Sequence, residues 1–267
     1  MNIKNQKTDI TRVISKIPYR MAFAGGWIDQ PFLSQHNPEP PGSMVVVGLN
    51  PVSRFMDRCG MGTSTRKVAD RIWDGHLPEG DPSDLVRALY IAENEGLAAP
   101  SGSQDMAGII YPGVNRLDFD YIHEGGTFPV HVESNNDPIV AGWLEDHIYM
   151  VPILQRPLGY DPLGEKNLDP VWIKRLGRSG ADCFNAIVTM DAPALGASMN
   201  ECMLCWETLL PNIIRHHTIK IDLVEILAYY QVNYYGAMFS GCGGGYIYVV
   251  SDNPVPGGFQ VSVRVGA

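Results

Sequence analysis

The chain has 267 residues, of which 45% are hydrophobic and 18% are charged. This composition is typical of a globular protein, and the length allows one large domain or two small ones. The formal net charge of −9 argues against broad binding to nucleic acid or anionic membranes, because those surfaces are bound through clustered Lys and Arg. We therefore expect neither as a partner.

Three features predict a cytoplasmic protein. Residues 1–16 are polar and lack the apolar core of a signal peptide. No stretch reaches the roughly 20 apolar residues of a membrane span. The five cysteines are an odd number and predict reduced thiols. Cys202 and Cys205 form a C-x-x-C motif in a predicted helix, and we interpret them as buried thiols rather than zinc ligands.

Apolar periodicity, glycine and proline predict a mixture of strands and helices. In chain order these are a strand over 13–24, a strand over 44–49, a helix over 63–73, a helix over 82–95, strands over 109–120, 126–133 and 147–155, helices over 171–191, 195–210 and 221–230, and strands over 246–251 and 259–265. This order favours an α+β fold in two lobes. The segment around residues 135–138 is the expected connection, giving lobes of 1–138 and 139–267.

The helix over 82–95 carries a candidate metal ligand. Asp81 followed by Pro82 is a strong helix start, with Asp as the N-cap and Pro at the first helical position. Leu89 belongs to the apolar face of this helix, and Glu93 lies one turn later. A carboxylate beside a buried face is costly unless it is paired or bound to a metal.

Two glycine-rich motifs indicate phosphate chemistry. They are CGMGTST at residues 59–65 and SGCGGG at residues 240–245, and a PSGSQD segment at 100–105 lies between them. Glycine lets backbone amides approach an anion, and a helix that begins after such a loop adds partial positive charge. The first motif lacks the Lys of a Walker A loop, and the second precedes a strand, unlike a dinucleotide-binding fingerprint. Together they predict a small-molecule kinase.

The order of four motifs resembles that of the GHMP kinases, the superfamily of galactokinase, homoserine kinase and mevalonate kinase. YRMAFAGGWIDQP at residues 19–31 is similar to the R-x-S-F-A-G-G-G-T-D-L-P segment of heptose 7-phosphate and L-fucose kinases. Residues 60–65 resemble the family's G-L-G-S-S-A phosphate loop, residues 100–105 its G-x-Q-D loop, and residues 236–245 its late G-A-G-G-G segment. The resemblance covers nearly the whole chain.

The resemblance implies a ribosomal-protein-like N-terminal lobe and a ferredoxin-like C-terminal lobe. It implies direct transfer of the γ-phosphate of ATP, with Mg²⁺, to a hydroxyl of a sugar or sugar phosphate. In that reading Asp105 accepts or orients the proton of the attacking hydroxyl, and Arg20 stabilises the charge beside it. Glu93 and Ser64 are the implied magnesium ligands.

The resemblance also assigns the residues that bind the two substrates. The triphosphate would be held by a set of loop residues, namely Gly60, Gly62, Thr63, Ser64, Thr65, Gly243 and Gly244. The acceptor would be held by Gly26, Trp27, Asp29 and Gly241, with Asp29 accepting hydrogen bonds from sugar hydroxyls. Trp27 could stack on a sugar face or line an apolar pocket.

Several alternatives remain open at this point. Asp105 and Asp29 could be turn residues, Arg20 a strand-edge arginine and Glu93 an exposed helix-end acid. Glycine motifs also occur as tight turns, and close packing alone could require the late glycines. Only about 30 residues separate Asp29 from Gly60, and relatives have a longer segment there. A degenerate protein that binds sugar without phosphorylating it, a GHMP kinase for a non-sugar alcohol, and a homodimer therefore stay open.

Overall fold

The computed structural model describes residues 15–52, 54–97 and 100–266. The start of the first predicted strand and most of the polar N-terminal segment lie outside the described residues. The described chain forms two antiparallel sheets covered by helices. Among these residues, no helix combines the length and the apolar character needed to cross a membrane.

The N-terminal sheet has four strands in the order β1-β2-β3-β4. They are β1 (Tyr19–Ala22), β2 (Gly42–Leu49), β3 (Val114–Phe119) and β4 (His131–Asn135). Every residue of β2 is buried, because helix α4 (Gln104–Ile110) and helix α6 (Pro170–Val188) both pack against it. This explains why β2 is continuously apolar rather than alternating.

The C-terminal sheet has three strands in the order β5-β7-β6. They are β5 (Ile148–Leu154), β6 (Gly236–Phe239) and β7 (Gly245–Val250). A ferredoxin-like lobe has four strands, and here Phe259 adds a single bridge to Met150 at the outer edge of β5. The α+β fold class is therefore confirmed, with a reduced second sheet.

The remaining helices flank the sheets and begin at recognisable sequence signals. They are α1 (Pro31–Ser34), α2 (Thr63–Ile72), α3 (Pro82–Asn94), α5 (Pro138–His147), α7 (Ala192–Leu209) and α8 (Leu223–Asn233), with short 3₁₀ turns at Glu124–Gly126 and Pro211–Ile213. An aspartate side chain caps α3, α5, α6, α7 and α8 by accepting from amides of the first turn. These carboxylates satisfy amides that otherwise lack an intrahelical partner.

Several strand predictions are wrong in part, among them the one over 126–133, because the strand there begins only at His131. Ile109 and Ile110, predicted to begin a strand, close helix α4, and the strand starts only at Val114. Residues 259–265 do not form a regular strand. This segment crosses from one sheet to the other, so it forms a bridge to the C-terminal sheet at Phe259 and a bridge from Val263 to Leu49 in the N-terminal sheet.

The two halves of the chain share one hydrophobic core. Helix α6 belongs to the C-terminal half but packs on β2 of the N-terminal sheet, and it also packs on α7, which contacts β6. The buried apolar residues form one continuous cluster that spans both sheets. A boundary between 138 and 139 separates the two sheets in sequence, and the division into two lobes stays a prediction. Cys202 and Cys205 are buried on α7, in agreement with the interpretation as buried thiols.

Candidate active site

A cleft of about 690 Å³ gathers half of the residues predicted to bind substrates or metal or to act in catalysis. Its walls come from β1, the turn before α1, the end of α3, the start of α4 and both glycine motifs. The predicted residues that line it are Arg20, Gly26, Trp27, Gly60, Glu93, Asp105 and Gly241. Segments up to 222 residues apart in sequence therefore meet at one site.

An ion pair between Arg20 and Asp105 lies in this cleft. Arg20 Nε donates to Asp105 Oδ1 at 2.8 Å, and Nη2 donates to the same oxygen. Arg20 Nη1 donates to the Gly60 carbonyl at 2.8 Å, which ties the pair to the first glycine motif. Thr65 Oγ1 lies 3.4 Å from Asp105 Oδ2. The guanidinium thus occupies Oδ1, and Oδ2, which accepts one long hydrogen bond from Thr65, keeps a lone pair for a hydroxyl in the cleft.

The stem of Arg20 is enclosed between two glycines. A Cβ added at Gly62 would lie 2.9 Å from Arg20 Cγ, and a Cβ added at Gly108 would lie 2.7 Å from Arg20 Cβ. Gly62 also adopts a left-handed φ of +63° as the N-cap of α2. These glycines let a long cationic side chain, only 6% exposed, reach from β1 to Asp105 on α4.

Glu93 presents an unpaired carboxylate oxygen near the hydroxyls of Ser64 and Thr65 in the first glycine motif. Its Oε2 is buried and has no hydrogen-bond partner among the described residues. Burial raises the pKa of Glu93 and Asp105 adds to the rise, while Thr65, Ser64 and Arg20 oppose it. An orphaned carboxylate beside hydroxyl oxygens suits Mg²⁺, which takes few protein ligands and keeps several waters or phosphate oxygens. Glu93 and Ser64 thus fit the magnesium role, which stays a prediction.

The first glycine motif leads directly into helix α2, as predicted. Thr63 is the first helical residue and its hydroxyl accepts a hydrogen bond from Arg58 N at 3.3 Å. Gly62 has no side chain with which to cap the first amides of the helix, and Ser64 in the first turn is exposed. Uncapped amides at a helix start can hold an anion.

The two glycine motifs touch each other across the cleft. Gly60 has a φ of +73°, and a Cβ there would collide with the Ser240 carbonyl. Ser240 Oγ donates to Cys59 O at 2.6 Å, which fixes the contact. A Cβ added at Gly241 would lie 3.0 Å from Gly60 Cα. The absence of side chains is what allows these backbones to approach so closely.

Gly243 and Gly244 lie away from the cleft lining. A Cβ at Gly243 would stand 2.7 Å from the ring of Tyr160, and a Cβ at Gly244 would stand 3.0 Å from Leu154. Both glycines therefore have a packing reason, which was the alternative interpretation from the sequence. Their predicted contact with nucleotide stays a prediction.

Asp29 is fully buried behind the PSGSQD segment and does not line the cleft. A Cβ at Gly102 would collide with Asp29 Oδ2, which has no hydrogen-bond partner among the described residues. Gln104 Nε2 lies 3.4 Å from Oδ1. Burial, with the nearby charge of Asp105, raises the pKa of Asp29 to about 7. A sugar hydroxyl could reach this carboxyl only if the segment around Gly102 moved.

Trp27 replaces a glycine of the family pattern but keeps a glycine-like backbone. Its φ is +80°, a conformation that costs about 1–2 kcal/mol in a residue with a Cβ. The indole lines the cleft near Phe32, with ring centroids 6.4 Å apart. The adjacent Gly26 carbonyl accepts a hydrogen bond from Trp206 Nε1 at 2.9 Å. The turn thus supplies an aromatic part of the cleft wall.

Sequence reasoning missed several polar or aromatic residues of the cleft. Among them are Gln104, Arg156, Lys166 and Trp206. Gln104 stood within the G-x-Q-D resemblance and could have been proposed from it. Arg156 and Lys166 belong to the irregular segment between β5 and α6, where no periodicity indicates which way a side chain faces.

No family model matches the chain, and no curated protein matches it in sequence. Solved structures with the same fold include a galactokinase from Lactococcus lactis complexed with galactose, at 12% identity and a TM-score of 0.60, covering 94% of this chain and 93% of that one. A mevalonate kinase from Methanococcus jannaschii matches at 12% identity and a TM-score of 0.57, covering 88% and 89%.

A D-glycero-D-manno-heptose 1-phosphate kinase from Bacteriodes thetaiotaomicron also matches, at 13% identity and a TM-score of 0.55. The match covers 94% of this chain and 96% of that chain. At these identities the likeness establishes the fold. The chain therefore has the GHMP kinase fold, as the motif resemblance predicts.

Proposed function

We propose that the protein is an ATP-dependent small-molecule kinase that transfers the γ-phosphate to a hydroxyl of a sugar or sugar phosphate. The observation that carries the proposal is the Arg20–Asp105 pair, which joins a candidate proton acceptor to the first glycine motif within one cleft. The kinases of the same fold, one of which was solved with galactose, support the same class of reaction.

In the proposed reaction the acceptor oxygen attacks the γ-phosphorus of ATP in line with the departing β–γ bridging oxygen. A new O–P bond forms, the bridging bond breaks and ADP leaves. Asp105 Oδ2 takes the proton of the acceptor hydroxyl, while Arg20 holds Oδ1 and balances the charge. Asp105 serves as catalytic residue and Arg20 as the residue that positions it.

The remaining cleft residues divide between the two substrates. The amides from Gly60 to Thr65 at the start of α2 would hold phosphate oxygens, and Trp27 would face the acceptor. Glu93 and Ser64 would hold Mg²⁺, which when bound neutralises phosphate charge. No covalent enzyme intermediate is needed, because positioning and charge stabilisation are sufficient for phosphoryl transfer.

The test is label transfer from [γ-³²P]ATP·Mg²⁺ to a panel of hexoses, heptoses, their phosphates, and the non-sugar alcohols homoserine and mevalonate. We expect label in one sugar class, with ADP formed in equal amount. Calorimetry with ATP·Mg²⁺ and with the same acceptors runs in parallel. A folded protein that binds a sugar but neither binds ATP·Mg²⁺ nor transfers label would overturn the proposal in favour of a non-catalytic binding protein.

A further inference from the structure

Two cations in the cleft have no part in the reaction described so far. Arg156 and Lys166 both line the cleft, and both come from the irregular segment between β5 and α6. Neither forms an ion pair with a carboxylate among the described residues, whereas Arg20 is paired with Asp105. An unneutralised cation in a concave site favours an anionic ligand.

Arg156 is held in place by a built support. Its Nε donates to the Cys242 carbonyl at 2.9 Å, and its guanidinium lies 5.5 Å from the centroid of the Tyr160 ring. The hydroxyl of Tyr160 donates to Asn212 O at 2.9 Å, and Gly243 packs against the ring face. One edge of the guanidinium is thereby committed to the protein. Both terminal nitrogens remain available for a bidentate contact with an oxyanion.

Lys166 lines the cleft beside the turn that contains Trp27, which we call the acceptor turn. Its ammonium lies 4.6 Å from the centroid of the Phe32 ring. Phe32 belongs to α1, which directly follows the turn that contains Trp27, and both rings line the cleft. The cation–π contact holds the flexible lysine beside the acceptor turn without neutralising its charge.

The charges of the cleft indicate which substrate the two cations serve. Glu93, Ser64 and the start of α2 form a region suited to the metal and the triphosphate. Arg156 stands beside the second glycine motif, and Lys166 stands over the acceptor turn. A phosphate group on the acceptor, in addition to the triphosphate of the nucleotide, would give Arg156 and Lys166 an anionic partner.

We propose that Arg156 and Lys166 form a subsite for a phosphate group of the acceptor, so that the preferred substrates are sugar phosphates. This inference rests on the proposed kinase function, because it concerns the acceptor of that reaction. The subsite itself can be tested by binding measurements alone. The shared chemistry is a phosphate oxyanion. The nucleotide could also supply such an oxyanion, so the experiment has an arm for each source.

The experiment measures calorimetric affinities of hexose 1-phosphates, hexose 6-phosphates, the matched unphosphorylated hexoses and ATP·Mg²⁺. The variants are Arg156→Gln and Lys166→Gln, with Lys220→Gln as the control. Lys220 is an exposed cation outside the cleft that donates to His217 O. Circular dichroism verifies that each variant is folded. Because Lys166 is exposed, we expect Lys166→Gln to fold as the wild type does.

We expect one hexose phosphate to bind at least about tenfold more tightly than its matched hexose. Arg156→Gln and Lys166→Gln should each weaken that binding about tenfold and leave hexose and ATP·Mg²⁺ affinities within twofold, and Lys220→Gln should change nothing. A hexose phosphate that binds no better than its hexose would overturn the subsite. Loss of ATP·Mg²⁺ affinity instead would assign the cations to the donor and overturn the acceptor assignment.

The two proposals fail in different ways. Preferential phosphorylation of an unphosphorylated sugar would overturn the subsite and leave the kinase standing. Tight binding of a sugar phosphate that depends on both cations, without transfer of label to any acceptor, would support the subsite and overturn the kinase.

Discussion

Two parts of the cleft wall are built on different physical principles. One wall carries Arg20, Glu93 and Asp105 on β1, α3 and α4, and it depends on buried charges that must be paired or bound. The other is the contact between Gly60 and Gly241, and it depends on the absence of side chains. A substitution in the first wall changes charge and chemistry, whereas a substitution in the second changes shape.

The charged wall should show the largest loss of stability. Arg20→Met removes the partner of Asp105 and the hydrogen bond to Gly60 O. Because one ion would be left partly buried without its partner, we expect a loss of about 3–5 kcal/mol in the free energy of unfolding. Urea denaturation measures it. Arg178→Met is the control, since its ion pair with Glu39 is exposed and should contribute less than about 1 kcal/mol.

Asp29 is buried behind the cleft, where it senses the charge of Asp105, and it provides a pH-dependent test. Its pKa is raised from 3.8 to about 7, so the folded state binds a proton that the unfolded state releases, and stability falls as pH rises from about 4 to 7. Asp29→Asn removes this penalty. The gain of the variant over wild type in the free energy of unfolding should be about 2.5 kcal/mol larger at pH 8 than at pH 5. Urea denaturation at each pH measures this difference. An equal gain in unfolding free energy at both pH values would show that Asp29 ionises normally.

The glycine wall can be tested with a pair of glycines that have the same backbone conformation. Gly60 and Gly257 have φ values of +73° and +74°, but only Gly60 faces another backbone, at Ser240. Both changes to Ala incur the cost of a left-handed φ. Gly60→Ala should be the more destabilising by about 2 kcal/mol because of the collision. Equal losses in urea denaturation would contradict the close contact.

Glu93 should show the smallest effect on stability and a specific effect on the metal. Glu93→Gln removes a buried carboxylate whose Oε2 lacks a partner, so we expect a gain of about 1 kcal/mol in the unfolding free energy. The same variant should bind ATP·Mg²⁺ more weakly. Its affinity for ATP should no longer differ with and without Mg²⁺. Unchanged magnesium dependence in calorimetry would remove Glu93 from the metal site.

The sequence predicted the parts of the molecule that depend on local signals. Asp81 and Pro82 place the start of α3 correctly, and the resemblance picked out Arg20 and Asp105, which form an ion pair. The prediction at Ile109 and Ile110 was wrong because two β-branched residues favour a strand locally. In the structure, packing against β1 and β2 makes these residues the end of α4.

Other features depend on long-range packing and had no local signal. The burial of Asp29 follows from the position of Gly102, 73 residues later. The cleft-facing positions of Arg156 and Lys166 follow from contacts with Cys242 and Phe32. Neither periodicity nor capping residues report such contacts, so these residues became visible only in the three-dimensional structure.

The most direct test of the central claim compares Asp105→Asn with Asp182→Asn in the label-transfer assay, at equal concentrations of folded protein. Asp182 is an exposed residue of α6 outside the cleft. We predict that Asp105→Asn lowers the turnover rate by at least about a hundredfold, because it removes the proton acceptor, and that Asp182→Asn matches wild type. Turnover by Asp105→Asn within threefold of wild type would contradict the role of Asp105 and the mechanism built on it.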